Sequence, residues 1–349
     1  LGKYDYESPL VYDGQKTLST GPSNWHGAEL RLLSTALTDH KLMLGVEYQN
    51  NTSIKQTFHV LQNPEENVDI KSSVVRMGVY LQDEWRITNT LTSTLGVRYD
   101  YSHWIGNRIS PRVGLIWQAT PKAAFKALYG RAHRSPNSYE RDFGDGVSQI
   151  ANPGIRGETI DSAELVADYF PEPNMNLRAS AYAWDIYNLI ALGFNPLLEA
   201  SQYQQNSNKV KARGVELSFD KTWDWGGRLR GSYGLQNAEQ QDSHLPNSPY
   251  QLGKLNISIP IPLMTGLRTG FELQYYGERK TLNGANTDSY VLSNLNFMTD
   301  VRWVKGLEAS LSFYNLFNED YQHPIANSSW HNSLVQPGRT VRLRMDYRF

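Results

Sequence analysis

The sequence has no cysteine, which excludes disulfides, thiolate metal sites and cysteine nucleophiles together. It has no run of about 18 apolar residues, so no transmembrane helix can be drawn. Its longest apolar stretch, 186–194, is interrupted by Asn188. It has almost no net charge, −1 from 34 basic and 35 acidic side chains, and so no global basic field to attract nucleic acid. HExxH, Walker A and GxSxG motifs are absent, and no catalytic constellation can be assembled. Asp142-Phe143-Gly144 spells a kinase tripeptide but lacks its companion blocks, and the spacing around it fails as a calcium loop. The N-terminus, Leu1-Gly2-Lys3-Tyr4, has no basic start leading into an apolar core, so it is not a signal peptide. It reads like the middle of a strand, and a chain with a further upstream part is expected.

What is present is alternation. Val341, Leu343, Met345, Tyr347 and Phe349 alternate with Arg342, Arg344, Asp346 and Arg348. Leu267, Thr269, Phe271, Leu273 and Tyr275 alternate with Arg268, Gly270, Glu272, Gln274 and Tyr276, and Leu42, Leu44, Val46 and Tyr48 with Met43, Gly45, Glu47 and Gln49. Successive side chains of a strand point to opposite faces, so each such segment has one greasy face and one polar face. About 16 segments are expected, starting roughly at 1, 25, 40, 72, 90, 108, 122, 158, 174, 204, 226, 248, 265, 287, 306 and 334. Many exceed the usual strand length of soluble sheets and approach the 9–11 residues of a tilted membrane strand. Connections alternate between short turns, such as 38–40, 88–90 and 224–227, and long loops at 60–71, 134–157, 194–203, 239–247, 280–287 and 321–333. Only the link near 105–107 breaks this rule. Short turns at one rim and long loops at the other fit an outer-membrane barrel. A soluble sandwich also alternates, but its strands are shorter and its polar faces carry fewer charges. The expected fold is therefore all-β: a transmembrane antiparallel up-and-down barrel with its apolar face toward lipid. Trp85, Trp117, Tyr169, Trp223, Trp225, Trp303 and Tyr347, near strand ends, suit an interfacial girdle.

Several blocks resemble the barrel of a TonB-dependent outer-membrane receptor. Val79-Tyr80-Leu81-Gln82-Asp83-Glu84-Trp85 and Leu95-Gly96-Val97-Arg98-Tyr99-Asp100 are similar to paired strands of that family, followed by Ser110-Pro111-Arg112-Val113-Gly114. Asn152-Pro153-Gly154-Ile155-Arg156-Gly157-Glu158 resembles an NPxLxPE segment, with Gly157 where proline is usual. Ala212-Arg213-Gly214-Val215-Glu216, Asn315-Leu316-Phe317-Asn318-Glu319-Asp320-Tyr321 and Pro337-Gly338-Arg339-Thr340 complete the order. The resemblance covers 79–349, and the first 78 residues fit by alternation alone. It implies a 22-stranded barrel of which 1–349 is the C-terminal part, with about six strands, an N-terminal plug and the TonB-gripped peptide lying elsewhere. A chain alone would then leave two open edges. It also implies energy from the TonB–ExbB–ExbD complex, outer-membrane lipid and lipopolysaccharide as surroundings, location in the bacterial outer membrane, and a scarce ligand. A ferric siderophore is the most frequent ligand in the family; cobalamin, haem and glycans are the other classes. No covalent chemistry, cofactor or nucleic acid is implied. The competing function is a passive porin of 16 strands, complete as it stands.

The residues allow a site to be named. Arg98, Asp100, Arg112 and Glu216 fall on the polar face, where they would line the lumen and meet the plug. Glu164, Asp168, Glu216 and Asp220 are expected to pair with Arg178, Arg228 and Arg230 rather than to act as acid–base pairs. The ligand site is expected on two long loops: Arg134, Tyr139, Arg141 and Phe143 in 134–157, and His323, Trp330 and His331 in 321–333. Arginine forks suit anionic groups, and aromatic rings give rigid apolar contact. His133, His323 and His331 read as loop residues rather than metal ligands. The resemblance implies that the terminal Phe349 is an assembly signal.

Overall fold

The structure, a computed structural model, describes residues 1–12, 14–145, 148–205, 209–262, 266–300, 306–325 and 332–348. The first strands are β1 (Gly2–Tyr4), β2 (Glu7–Tyr12), β3 (Gln15–Thr20), β4 (Ser23–Ser34), β5 (His40–Val60), β6 (Val68–Arg86), β7 (Leu91–Ser102), β8 (Gly106–Thr120) and β9 (Ala123–Arg134). A single-turn helix, α1 (Ser138–Asp142), precedes β10 (Gln149–Ile150), β11 (Glu158–Glu172), β12 (Met175–Tyr187), β13 (Ile190–Asn195), β14 (Ala200–Gln205) and β15 (Val210–Thr222). There follow β16 (Arg228–Gln240), β17 (Ser243–His244), β18 (Gln251–Pro260), β19 (Leu267–Tyr276), β20 (Arg279–Lys280), β21 (Asn286–Thr287) and β22 (Tyr290–Asp300). The last are β23 (Leu307–Tyr314), β24 (Gln322–Pro324), β25 (Ser333–Val335) and β26 (Thr340–Tyr347). All sixteen expected segments contain a strand, and fifteen hold one of 8 to 21 residues.

The chain folds as two compact units. The first comprises Leu1–Leu115, Leu128–Ala163 and Asp185–Val210. In it β4, β5, β6 and β7 pair antiparallel in sequence order. The pairing carries the alternation across strands. Leu44 stands opposite Leu32 and Leu81, and Leu81 opposite Val97. On the other face Glu47 stands opposite Glu29 and Gly78, Gly78 opposite Asp100, and Tyr80 opposite Gly45 and Arg98. The first segment differs from the long strands that follow it. It holds the short strand β1, paired with β4, and a β2–β3 hairpin whose second strand joins the far end of β5 at 57–60. β5 can serve both because it runs on for 21 residues, through a register shift between Asn51 and Ile54. Apolar alternation stops near Tyr48, so this extension lies beyond the greasy band.

The second unit comprises Ile116–Ala127, Glu164–Trp184 and Lys211–Phe349. Here β16, β18, β19, β22, β23 and β26 pair antiparallel in order. Ile257, Phe271, Leu295, Phe313 and Val341 form one cross-strand row, and Asn256, Glu272 and Asn294 another on the opposite face.

The apolar rows are not covered by protein. Leu30, Leu32, Leu44, Val46, Val79 and Leu81 in the first unit, and Leu217, Leu343 and Met345 in the second, are 44–64% exposed. Only nine apolar side chains are buried among the described residues, whereas a sandwich would hide a whole face of each sheet. So much contiguous bare hydrocarbon is untenable in water and natural against lipid. Of the expected girdle, Trp85, Trp117, Tyr169, Trp225 and Tyr347 are 38–57% exposed. Trp223 stacks on Trp225 at 5.8 Å, and Trp303 lies outside the described residues. The long loops are more ordered than expected. Segment 194–203 belongs to a β13–β14 hairpin that β10 joins in parallel, and 280–287 and 321–333 contribute the β20–β21 and β24–β25 ladders.

Candidate functional site

On the polar face of the first unit Arg98, Glu47 and Asp100 pair with one another. The Arg98 Nε donates to both Asp100 oxygens at 2.8 and 2.9 Å, and its Nη2 donates to Glu47 at 2.8 Å. The guanidinium lies 5.6 Å from the Tyr80 ring centroid, and the Tyr80 hydroxyl donates to Glu29 at 2.7 Å. Gly45 and Gly78 make this possible, because a Cβ at either would occupy the place of Tyr80 or of Arg98. These groups line a cavity of about 610 Å³ that also receives Arg76, Arg108 and Arg112. In the second unit Asp168, 3% exposed, holds Lys126 at 2.9 Å and Arg178 at 2.6 Å, and Asp220 is paired with Arg228. Two of the expected carboxylate–arginine pairs are therefore present. Arg112 and Glu216 lie on the polar faces, exposed and without an ion pair among the described residues. Arg98 and Asp100, by contrast, are bound to each other.

The described parts of loop 134–157, residues 134–145 and 148–157, form a folded post. Asn137 caps α1 by accepting from the Glu140 N–H at 2.8 Å, and the Glu140 carboxylate returns the bond to the Asn137 N–H at 2.9 Å, a reciprocal capping box. Arg134 straps this turn to the barrel strand. Its Nη1 donates to Glu140, and its Nε and Nη2 donate to Glu158 at 2.6 and 2.8 Å. Ser72 donates to Asp142 at 2.5 Å and Gln56 to Ser138 at 2.6 Å, so the far ends of β5 and β6 brace the helix. Arg141 pairs with Asp142 and lies 5.0 Å over the Trp104 ring. Gly157 departs from the family proline for a visible reason: a Cβ there would come within 2.6 Å of the Arg134 carbonyl.

What the post leaves open is aromatic. Tyr139 is 44% exposed and stacks on Phe143, with centroids 4.5 Å apart and planes 19° off parallel. Partial burial raises the Tyr139 phenol above its ordinary range, so it remains a donor at neutral pH. In the second unit Arg279 lies over the Tyr276 and Tyr290 rings, and His323 meets the Tyr290 hydroxyl at 3.1 Å and the Tyr321 ring edge-on. Burial and then the Arg279 charge push the His323 pKa down, so this imidazole is neutral at physiological pH. Trp330, His331 and Phe349 lie outside the described residues. No cluster of three metal-ligating side chains occurs among the described residues.

Sequence reasoning missed Arg279, Tyr290 and Trp104, which take part in these clusters, and Tyr203, whose ring meets Tyr139 edge-on at 6.0 Å. Tyr276 and Tyr290 lie at adjacent strand ends, and hairpin spacing could have suggested their meeting. The Arg141–Trp104 contact joins separate loops and leaves no local signal.

Bare apolar rows on one face and charged and polar side chains on the other, several of them ion-paired, define a membrane-spanning β-wall with ordered loops. Similarity to known proteins sharpens that class. The family model "TonB dependent receptor-like, beta-barrel" matches residues 2–316, and the chain belongs to that family. It is 23% identical over 344 residues to the iron-regulated outer membrane virulence protein of Vibrio cholerae, covering 91% of this chain and 50% of that protein. It is 22% identical over 391 residues to the metal-pseudopaline receptor CntO of Pseudomonas aeruginosa, covering 92% of this chain and 51% of the receptor. The chain thus spans about half the length of these curated relatives. Among solved structures it resembles the ferric enterobactin receptor PfeA of P. aeruginosa (TM-score 0.73, 17% identity, 95% of this chain and 54% of that one). It also resembles the siderophore receptor PirA of Acinetobacter baumannii (TM-score 0.75, 15% identity, 96% and 55%). The fold is that of the antiparallel β-barrel of these receptors.

Proposed function

We propose that this chain is the C-terminal barrel portion, residues 1–349, of an outer-membrane receptor that captures a scarce ligand outside the bacterial cell. A ferric siderophore is the foremost candidate. Ligand passes inward when the TonB–ExbB–ExbD complex remodels a plug seated against the polar face. The protein changes no covalent bond in its ligand. Supporting this reading are family membership and the names of relatives, one an iron-regulated outer-membrane protein and another a metal-chelate receptor.

The observation that carries it is the braced loop 134–157. A receptor profits from a pre-ordered surface, because ordering on binding costs affinity. In this reading Tyr139, Phe143 and Arg141 meet the ligand from one loop, and His323, Trp330 and His331 from the other. Arg134 holds the first loop in place. Arg112 and Glu216 are among the wall's open charges and face the plug in this reading, beside the paired Arg98 and Asp100. The terminal Phe349 serves assembly.

The test is to shorten loops 134–157 and 321–333 separately in the full-length receptor and measure ferric chelate binding to whole cells. Each deletion is expected to weaken binding about 10-fold or more, as expected for loss of two or three aromatic contacts. Unchanged affinity in both, at normal surface level, would put the ligand site elsewhere.

A further inference from the structure

The β20–β21 and β24–β25 ladders of the second unit are joined through one tyrosine. Tyr290, at the start of β22, is 4% exposed. Its ring stacks on Tyr276 with centroids 5.1 Å apart and meets Tyr321 at 4.7 Å. The Arg279 Nη2 donates to the Tyr290 hydroxyl at 3.2 Å, and that hydroxyl meets His323 Nε2 at 3.1 Å. The same Nη2 donates to the Gln322 carbonyl at 3.0 Å, so Arg279 of β20 also holds the backbone of β24.

The polarity of these hydrogen bonds is set from the arginine end. A guanidinium nitrogen can only donate, so the Tyr290 oxygen accepts from it. The single hydroxyl proton is then free to point at His323 Nε2, which accepts only while it carries no proton. Protonation would set an imidazolium N–H against an oxygen that already accepts from a cation, and would strand the hydroxyl proton. It would also place a second positive charge near Arg279, the charge that acts on His323. Arg279 has nothing to neutralise it. It is 7% exposed, its Nη1 donates to the neutral Asn247 amide oxygen at 3.2 Å, and its Nε is buried without an acceptor. No carboxylate pairs with it among the described residues. The other titratable groups around this contact are the Tyr276 and Tyr321 phenols. Opposite His323, β25 presents Leu334, and β21 carries only Asn286 and Thr287. His323 itself is exposed, so protons reach it and water screens part of the repulsion.

We propose that Arg279, Tyr290 and His323 form a proton-sensitive latch that holds the β24–β25 ladder against the β20–β21 ladder at neutral pH and releases it in acid. Partial burial and then the Arg279 charge keep the His323 pKa below the ordinary histidine value of about 6.5. The fold therefore prefers the neutral ring. The latch is at full strength above that ordinary value and weakens as the pH falls through the lower folded one. It concerns the two ladders alone and does not rest on the receptor reading above.

The experiment measures amide hydrogen exchange in the purified full-length protein at neutral pH and at about pH 5, as protection relative to the intrinsic rate at each pH. In the wild type, residues 321–325 and 332–336 are expected to lose about 3–10-fold in protection in acid, the worth of roughly one hydrogen bond, while β22 and β23 stay unchanged. His323→Gln is neutral at both pH values and can still accept from Tyr290, so its ladder should be equally protected at both. Arg279→Met should weaken protection at both and shrink the acid response. Equal wild-type protection at the two pH values overturns the latch. An acid loss that His323→Gln retains also overturns it and assigns the response to another group. A loss that spreads into β22 and β23 overturns it as general acid unfolding. The wild type alone supplies a second measurement, which holds even if a variant fails to fold. The pH of half-release should match the titration of the His323 ring, followed by carbon-13 NMR of labelled histidine. A ring that titrates without release overturns the proposal.

Discussion

Leu81→Arg in the full-length receptor is expected to lower stability in lipid vesicles by about 2–4 kcal/mol, the cost of a cation facing mid-bilayer hydrocarbon. Leu81 stands between Leu44 and Val97 in the apolar row and is 51% exposed. The control is Gln82→Arg, one residue along, where the side chain lines the polar cavity. That change is expected to cost less than about 1 kcal/mol, because water and acceptors surround it. Urea unfolding of both variants, followed by tryptophan fluorescence, measures the difference. Equal costs at the two positions would mean that the apolar face does not meet lipid.

Arg134→Ala is expected to release loop 134–157 while the strands stay intact. The substitution leaves the Glu140 and Glu158 carboxylates, whose side chains are 12% and 14% exposed, without their shared cation. Removing one partner of a buried ion pair costs about 3–5 kcal/mol. The 44% exposed guanidinium discounts this to roughly 2–3 kcal/mol, since water screens part of the interaction. The cost should fall locally. Hydrogen exchange should show α1 and its capping turn unprotected, with β5 and β6 unchanged. Arg134→Lys should recover only part of the protection, because a single ammonium cannot reproduce a fork that spans two carboxylates. Loss of protection throughout the strands would show that Arg134 supports the wall rather than the loop.

The long strands are legible in the sequence because one face meets lipid along the whole segment, so Leu42, Leu44 and Val46 must alternate with Gly45 and Glu47. The first segment misleads in detail, since Glu7–Tyr12 and Gln15–Thr20 alternate like a spanning strand but form a short hairpin on the extension of β5. The carboxylate–arginine pairs at Asp168 and Asp220 are legible because opposite charges on neighbouring strands of one polar face lie within reach of each other. The loops are not. Arg134, read as an anion receptor, has all three nitrogens bound to Glu140 and Glu158, and nothing in the 134–157 spacing reveals that Glu158, at the start of the next strand, turns back to it. Segment 194–203, read as a long loop, lies in the β13–β14 hairpin, whose strands of 6 residues each are too short for periodicity to register.

If the wall and its loops serve energised import rather than passive diffusion, transport must depend on an energy source that binding does not need. The most direct measurement is uptake of a radioiron-labelled ferric chelate by iron-starved cells that express the full-length receptor, with and without TonB. The account predicts saturable uptake that requires TonB, with surface binding unchanged in its absence. Uptake that rises linearly with concentration and continues without TonB would contradict it and identify a diffusion channel.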